Sequence, residues 1–256
     1  MEPLTAVRLR AALGYRHRGV TLCVLPTVDS TNLRLKQRAR EGTVRPPYLL
    51  LAGEQTNGRG RLGRSFVSPP GTGLYMSLLL QPPADMPAGR ITLLAAVAVC
   101  RAIEGMTPLR PKIKWVNDIF VKGKKVCGIL AEAVEKQVVV GVGINLRTPP
   151  GGFPPEAAVA GALDAEVSRT ALAGRVAAYL LDEVADWADP GILEQYRARM
   201  PLTGREVRYT QNGLERAARV LGVAEDGGLI VEGDGGREIL RCGEVSLGSQ
   251  AFLGLE

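Results

Sequence analysis

Apolar residues in this chain gather in short runs separated by polar and turn-forming residues. Residues 20–25, 48–52 and 74–80 are such runs, bounded by Gly, Pro, Asn or Asp, and each predicts a buried β-strand. Between the first two, Asp29-Ser30-Thr31-Asn32 offers a choice of N-caps to a helix reaching about Arg40 and stopped by Gly42. Residues 91–106 are apolar throughout apart from Arg101, Glu104 and the small residues among them, which predicts a helix buried against a sheet. Three strands follow closely at 113–115, 126–134 and 138–144, the last two joined by a hairpin at Glu135-Lys136-Gln137. Residues 148–167 are rich in Pro, Gly and Ala and predict a loop with at most a short helical turn. Ser168 caps a long helix to about Ala188, broken at Pro190, and residues 191–199 form another.

Past Pro201 the pattern changes. Short strands alternate with Gln211-Asn212-Gly213, Glu225-Asp226-Gly227-Gly228 and Glu232-Gly233-Asp234-Gly235-Gly236, all strong turn signals. The sequence therefore predicts an α+β domain over residues 1–200 and a small SH3-like β-barrel over 201–256.

Composition narrows the chemistry. The chain has 256 residues, 46% of them apolar and 23% charged, as in ordinary globular proteins. No apolar run approaches the length of a membrane span, and the N-terminus lacks the apolar stretch of a signal peptide. Cys23, Cys100, Cys127 and Cys242 are far apart, which suits reduced thiols in the cytoplasm better than a zinc or disulfide framework. His17 is the only histidine, so histidine-dependent triads and multi-histidine metal sites are excluded. The chemistry must run on carboxylates, lysines and arginines.

Positive charge is concentrated early: residues 1–64 carry 12 Lys/Arg against 4 Asp/Glu, and the remainder 20 against 22. A basic surface for nucleic acid is one reading, and a site for an anionic small molecule the other. The region lacks interleaved aromatics and is too short before its first strand for a helix-turn-helix, which favours the second. Gly58-Arg59-Gly60-Arg61-Leu62-Gly63-Arg64 has the glycines for a tight turn and the guanidinium groups for carboxylate or phosphate oxygens. A solvated basic turn is the alternative. Its glycine spacing also fits a dinucleotide fingerprint, but the prolines and glycines of residues 69–73 forbid the helix that such a site requires. Kinase chemistry is excluded by the lack of H-R-D and D-F-G segments. A second charged group, Lys112-Ile113-Lys114-Trp115-Val116-Asn117-Asp118, alternates like a strand and ends in an amide and a carboxylate. There Asp118 could pair with Lys114 or position a metal carried by a nucleotide.

Six segments, in order and near the expected spacing, resemble the catalytic domain of biotin protein ligases. They are Asp29-Ser30-Thr31-Asn32; Gln55 with the glycine/arginine loop; Ser68-Pro69 with Gly73-Leu74-Tyr75-Met76-Ser77; Lys114-Trp115-Val116-Asn117-Asp118; Lys125-Val126-Cys127-Gly128-Ile129-Leu130; and Gly141-Val142-Gly143-Ile144-Asn145-Leu146. The resemblance implies a mixed or antiparallel sheet with packed helices, and a reaction in two steps. Biotin and ATP give biotinyl-5′-AMP, and the biotinyl group then passes to a lysine on the biotin carboxyl carrier domain of acetyl-CoA carboxylase or a similar carboxylase. Carried over by position, Ser30, Thr31, Asn32, Gln55, Arg59, Gly60, Arg61, Lys125 and Gly128 surround biotin. Arg61, Arg64, Phe66, Lys114, Asn117, Asn145 and Arg205 serve the nucleotide, with Phe66 against adenine. Lys114, Asp118, Lys125 and Arg61 are the catalytic set. Mg²⁺ comes with ATP, near Asn117 and Asn145, and no residue is assigned to it directly.

Val116 stands where the family usually has proline, so a less rigid turn is expected there. The family's repressor members carry a DNA-binding domain with no counterpart in this sequence, so neither DNA nor a membrane is an expected partner; a homodimer is an open alternative to a monomer. A lipoate ligase or related acyltransferase of the same fold, and a nucleic-acid-binding regulator, are the competing functions.

Overall fold

The computed structural model describes residues 4–211, 213–233 and 235–241, and the backbone of 245–247. The turn residues Asn212 and Asp234, and Cys242, lie outside the described residues. Twelve strands and five α-helices fall within them. Seven strands form one mixed sheet: β1 (Thr21–Val28), β2 (Tyr48–Gln55), β3 (Gly73–Leu80), β4 (Lys112–Lys114), β5 (Asp118–Val121), β6 (Lys124–Val134) and β7 (Gln137–Asn145). Their order across the sheet is β1-β2-β3-β7-β6-β5-β4, with β1 and β2 parallel and every other neighbour antiparallel.

The strand β5 was not anticipated. The run Lys122, Lys124, Lys125 obscured it, yet it is the other arm of two tight hairpins. Lys122 (φ 48°) and Gly123 (φ 71°) make a two-residue turn into β6, with Val121 opposite Lys124. Residues 115–117 link it back to β4, with Lys114 opposite Asp118.

Period-two alternation sorts the central strands into two chemically different faces. On β7, Val138, Val140, Val142 and Ile144 point into the main core, while Gly141, Gly143 and Asn145 occupy the other face. On β3, Met76, Leu78 and Leu80 face the core and Ser77 faces away from it. Four further helices lie on the core face: α1 (Ala6–Leu13), α3 (Arg90–Glu104), α4 (Arg169–Ala185) and α5 (Pro190–Arg199). The helix α3 is buried along nearly its whole length, as its composition predicts. The short helix α1, capped by Thr5, was not foreseen; Leu9 and Leu13 seat it against α4. Pro190 does not merely break a helix but opens α5 at its first turn, where its missing N–H costs nothing.

Only α2 (Thr31–Arg40) lies on the opposite face. It packs through Leu35 on Leu50, Leu79, Val134 and Val139 and leaves the rest of that face open. The glycine face of the sheet is thus exposed beside the N-terminus of α2.

Beyond residue 200, β8 (Glu206–Gln211), β9 (Leu214–Val223), β10 (Leu229–Gly233), β11 (Gly236–Leu240) and β12 (Val245–Leu247) form an antiparallel sheet in the order β11-β10-β9-β8-β12. The expected barrel is not closed among the described residues, because β11 and β12 stay unpaired edges. Val207, Tyr209, Val220, Leu229 and Leu240 join the same apolar core as the larger sheet. Among the described residues no helix is long and apolar enough to cross a membrane.

Candidate active site

Strand register brings the site together. Lys114 pairs with Asp118, Asp118 with Gly128, Gly128 with Gly143 and Gly143 with Tyr75, one continuous row across five strands. The next row on the same face is Leu130, Gly141, Ser77 and Leu50. Residues in one row project to the same side of a sheet. Lysine and aspartate therefore stand at one end of a floor made of glycine. Above that floor is a cleft of about 690 Å³, a volume within the usual range for small-molecule sites.

A polar wall closes the end of the cleft beside α2. Ser30 caps the helix by accepting from the Leu33 N–H at 3.4 Å. The Thr31 N–H donates to Gln55 Oε1 (2.8 Å), and Thr31 Oγ1 lies 3.0 Å from the same oxygen. Ser77 Oγ, wholly buried, sits 2.8 Å from Thr31 Oγ1 and 2.6 Å from Asn32 Oδ1. The Asn32 amide nitrogen donates to Leu130 O and Glu132 Oε2. Gln55 Nε2 in turn donates to Ser68 Oγ, which donates to Phe66 O. Two hydroxyl protons, those of Thr31 and Ser77, serve three oxygen–oxygen contacts, so the wall holds more acceptor capacity than donors. Burial pushes the Glu132 carboxyl up, but hydrogen bonds from Lys36 and Asn32 and the charges of Lys36 and Arg59 outweigh it and hold the group below the usual carboxylate range.

The glycine/arginine loop forms one side of the cleft. Gly60 N donates to Arg64 O (2.7 Å) and Phe66 N to Gly58 O (2.9 Å), and Arg59 bridges Ser65. A Cβ at Gly58 would lie 2.3 Å from Phe66 O, so this close backbone crossing requires glycine. The Phe66 ring rests on the glycine floor itself: a Cβ at Gly143 would come within 2.6 Å of it. The same ring also lies over Gly128, where a built Cβ would be 3.3 Å from it.

Charge converges at the opposite end. Lys125 Nζ lies 2.7 Å from Asp118 Oδ1, so the ion pair of Asp118 is with Lys125. Lys114 is 5% exposed. Burial pushes its pKa down; Asp118 opposes this, while Lys125 and Arg64 push it further, leaving it at about 8. Arg61 Nη1 donates to Asn117 Oδ1 (3.0 Å), and the Asn117 amide nitrogen donates to Ile129 O (3.0 Å). Its Nη2 is buried with no hydrogen-bond partner. An orphaned guanidinium nitrogen inside a cleft marks a place for an anionic oxygen. Val116 is 1% exposed and its carbonyl accepts from the Tyr196 hydroxyl (3.3 Å).

The cleft brings together Ser30, Thr31, Asn32, Gln55, Arg59, Gly60, Arg61, Arg64, Phe66, Lys114, Asn117, Asp118, Lys125, Gly128 and Asn145. Arg205 is not among its lining residues; it is exposed, just ahead of β8. The sequence reading missed Ser77, although a lone hydroxyl in an otherwise apolar strand is a legible signal. It also missed Phe153, Val159 and Ala160, which line the cleft because Lys125 N donates to Val159 O and Gly161 N to Lys125 O. A Pro/Gly-rich loop gives no pattern from which that docking could be read. Among the described residues no group of three His, Cys, Asp or Glu could cage a metal ion.

The chain that builds this cleft is similar in sequence and fold to known proteins. Residues 24–147 match the biotin/lipoate A/B protein ligase family. A biotin--[acetyl-CoA-carboxylase] ligase of Mycobacterium tuberculosis is 31% identical over 230 residues, 86% of this chain and 85% of that protein. One from Paracoccus denitrificans is 30% identical over 88% of this chain and the whole of its own length. The chain belongs to the biotin/lipoate A/B protein ligase family. A bifunctional ligase/repressor of Bacillus subtilis is 42% identical over 142 residues, but that match spans only 42% of its length. Among solved structures, a biotin protein ligase from Aquifex aeolicus in complex with biotin and ATP superposes with a TM-score of 0.77. It is 30% identical and covers 89% of this chain and 98% of that one.

Proposed function

We propose that this chain is a biotin protein ligase, with residues 1–200 as its catalytic domain and 201–256 as a small appended β domain. It joins biotin to ATP as biotinyl-5′-AMP and transfers the biotinyl group to a lysine of a carboxylase's biotin carboxyl carrier domain. The observation that carries this reading is the meeting of Arg61, Lys114 and Lys125 at one end of a cleft whose other end is lined by Ser30, Thr31, Asn32 and Gln55 and is rich in acceptors. Biotin has the matching polarity: a ureido ring with two N–H donors at one end and a carboxylate at the other. Ser30, Thr31, Asn32 and Gln55 would satisfy the ring, which otherwise would be buried with unpaired polar atoms.

In the first step a carboxylate oxygen of biotin attacks the α-phosphorus of ATP and pyrophosphate leaves. Two anions must approach, and Arg61, Lys114 and Lys125 neutralise the charge they bring together. Lys125 reaches the carboxylate by releasing or sharing Asp118. Asp118 orients the lysine ammonium groups, and in the second step it faces the incoming amine. There the carrier lysine attacks the carbonyl carbon of the mixed anhydride, AMP departs with the bridging oxygen, and the amine loses its proton. No protein nucleophile is needed. Mg²⁺ would come with the triphosphate and offset its charge, and Asn117, Asp118 and Asn145 would be the side chains able to offer it oxygen. Gly128 and Gly143 leave room for the fused rings once Phe66 moves aside, and Phe66 with Arg64 then turns toward the nucleotide.

The test is incubation of the chain with labelled biotin, ATP, Mg²⁺ and a carrier domain, followed by mass measurement of the acceptor. One added biotinyl group per carrier is expected. Modification by lipoate in its place would move the chain to the lipoate branch of the family. Salt-sensitive binding to duplex DNA without any transfer would favour a regulator.

A further inference from the structure

Trp115 lies between Lys114 and the Asn117-Asp118 pair, lines the cleft, and sends its indole N–H out of the catalytic sheet's own fold. It donates at 2.9 Å to the carbonyl of Gly227, in the turn between β9 and β10 of the small β domain. That turn and the end of β9 that leads into it offer two more carbonyls to the catalytic domain. Glu225 O accepts from Arg90 Nη1 (2.7 Å), and Val223 O accepts from both Nε (3.2 Å) and Nη2 (2.5 Å) of Arg197. Gly227 has φ +88°, and a Cβ built at Gly89 would lie 2.5 Å from Asp226 O. Backbone therefore meets backbone here, and the turn cannot shift without losing donors on three separate elements.

Three donors on one turn could be ordinary interdomain packing. The indole contact differs because Trp115 is covalently next to the residues that hold the cationic end of the cleft. Asn117 accepts from Arg61, and Lys114 opens the β4–β5 hairpin in register with Asp118. The same turn is also held by the Tyr196 hydroxyl of α5 on Val116 O and by Asn117 on Ile129 O. We infer that the β9–β10 turn is a positioning element of the nucleotide half of the site, acting through the Gly227 carbonyl on the Trp115 indole and so on Asn117 and Arg61. Trp115 is a positioning residue in this role. The polar wall of Ser30, Thr31, Asn32 and Gln55 is built on the β1–α2 junction, α2 and β2 and has no hydrogen bond to that turn among the described residues, so the two ligands are affected differently. The inference rests on the ligase reading given above.

The experiment uses the full chain and measures ATP and biotin binding separately by calorimetry, with thermal midpoints alongside. Trp115→Phe removes the donor and keeps an aromatic ring. Gly227→Ala disturbs the acceptor from the other domain, without entering the cleft, by forcing a side chain to positive φ. Each is expected to weaken ATP binding about tenfold while biotin affinity stays within about twofold, and the double variant is expected to be no weaker than either single one, since both break one contact. Should Gly227→Ala not fold, Asp226→Ala replaces it. It removes the side chain that accepts from Gly228 N (3.0 Å) and shapes the same turn, and the same one-sided loss of ATP affinity is expected. Unchanged ATP affinity in the turn variant, an equal fall for both ligands, or additive losses would each overturn the inference. A wild-type chain that binds neither ligand would defeat the ligase reading and the inference with it. One that binds both, with ATP indifferent to the turn, defeats the inference alone.

Discussion

Arg61 Nη1 hydrogen-bonds Asn117 Oδ1 across 3.0 Å, joining the glycine/arginine loop to the β4–β5 hairpin, while Nη2 of the same guanidinium is buried without a partner. One half of the group holds the protein together and the other half faces the cleft. Replacing Arg61 with Gly should release the adenylate intermediate roughly ten- to a hundredfold faster, as expected for losing a charge-assisted hydrogen bond of about 1.5–3 kcal/mol. Trapping released biotinyl-AMP after a single turnover would measure it. Wild-type retention would remove Arg61 from the site.

Gly143→Ala tests the floor. Its Cβ would come within 2.6 Å of Phe66 and stand where the glycine row leaves space for a ligand. Biotin affinity should fall by at least about tenfold, the scale of a misplaced methyl group in a fitted pocket. The thermal midpoint should move little, because Phe66 can swing away from the new methyl. Biotin titration by calorimetry decides it, and full affinity would mean that the ligand does not lie on β7.

Lys114 gives the site a pH dependence. Its pKa is lowered to about 8, so the ammonium that helps to hold phosphate is lost as pH rises through that value in the free protein. The affinity for ATP should therefore decline above about pH 8, and Lys114→Arg should extend the plateau to higher pH because a guanidinium stays charged. The sign for stability is opposite. Burying the charged lysine disfavours folding below about pH 8, and that penalty is relieved as pH rises toward the unfolded value of 10.5. An ATP-affinity profile that is flat to pH 10 would contradict the assignment.

Leu35 separates folding from binding on α2. It is fully buried in the small cluster under that helix, away from the cleft. Leu35→Ala should lower stability by about 3 kcal/mol, in the range for truncating a buried leucine. Biotin affinity measured well below the new midpoint should fall far less. A collapse of binding with stability unchanged would mean that α2 positions the polar wall more loosely than its Ser30 cap suggests.

Much of this site is legible in the sequence. Caps, breakers and apolar runs located β1, α2, β2, β3, α3, β6, β7 and α4, since each depends on interactions within its own segment. The loop arginines and the lysines at 114 and 125 were also readable as a cationic group. What the sequence hid were relations across strands. The strand β5 disappeared among lysines because its identity lies in pairing with β4 and β6, not in composition. Ser77 and Gly143 look like neutral strand residues until register places them in rows with Leu130 and Gly128. Arg205 was expected at the nucleotide from the resemblance, but it is exposed and does not line the cleft. The barrel expectation came from counting strands and turns, which does not determine whether the edges meet.

The alternation along β7 has a practical consequence. Val138, Val140, Val142 and Ile144 stabilise the protein, and Gly141, Gly143 and Asn145 shape what can lie on it. Foldability and ligand choice are therefore encoded on interleaved positions of a single segment that scarcely compete with each other. Randomising only Gly141, Gly143 and Asn145, together with Gly128 and Leu130, would search for acceptance of altered ligands while leaving the buried valines and Ile144 of β7 untouched.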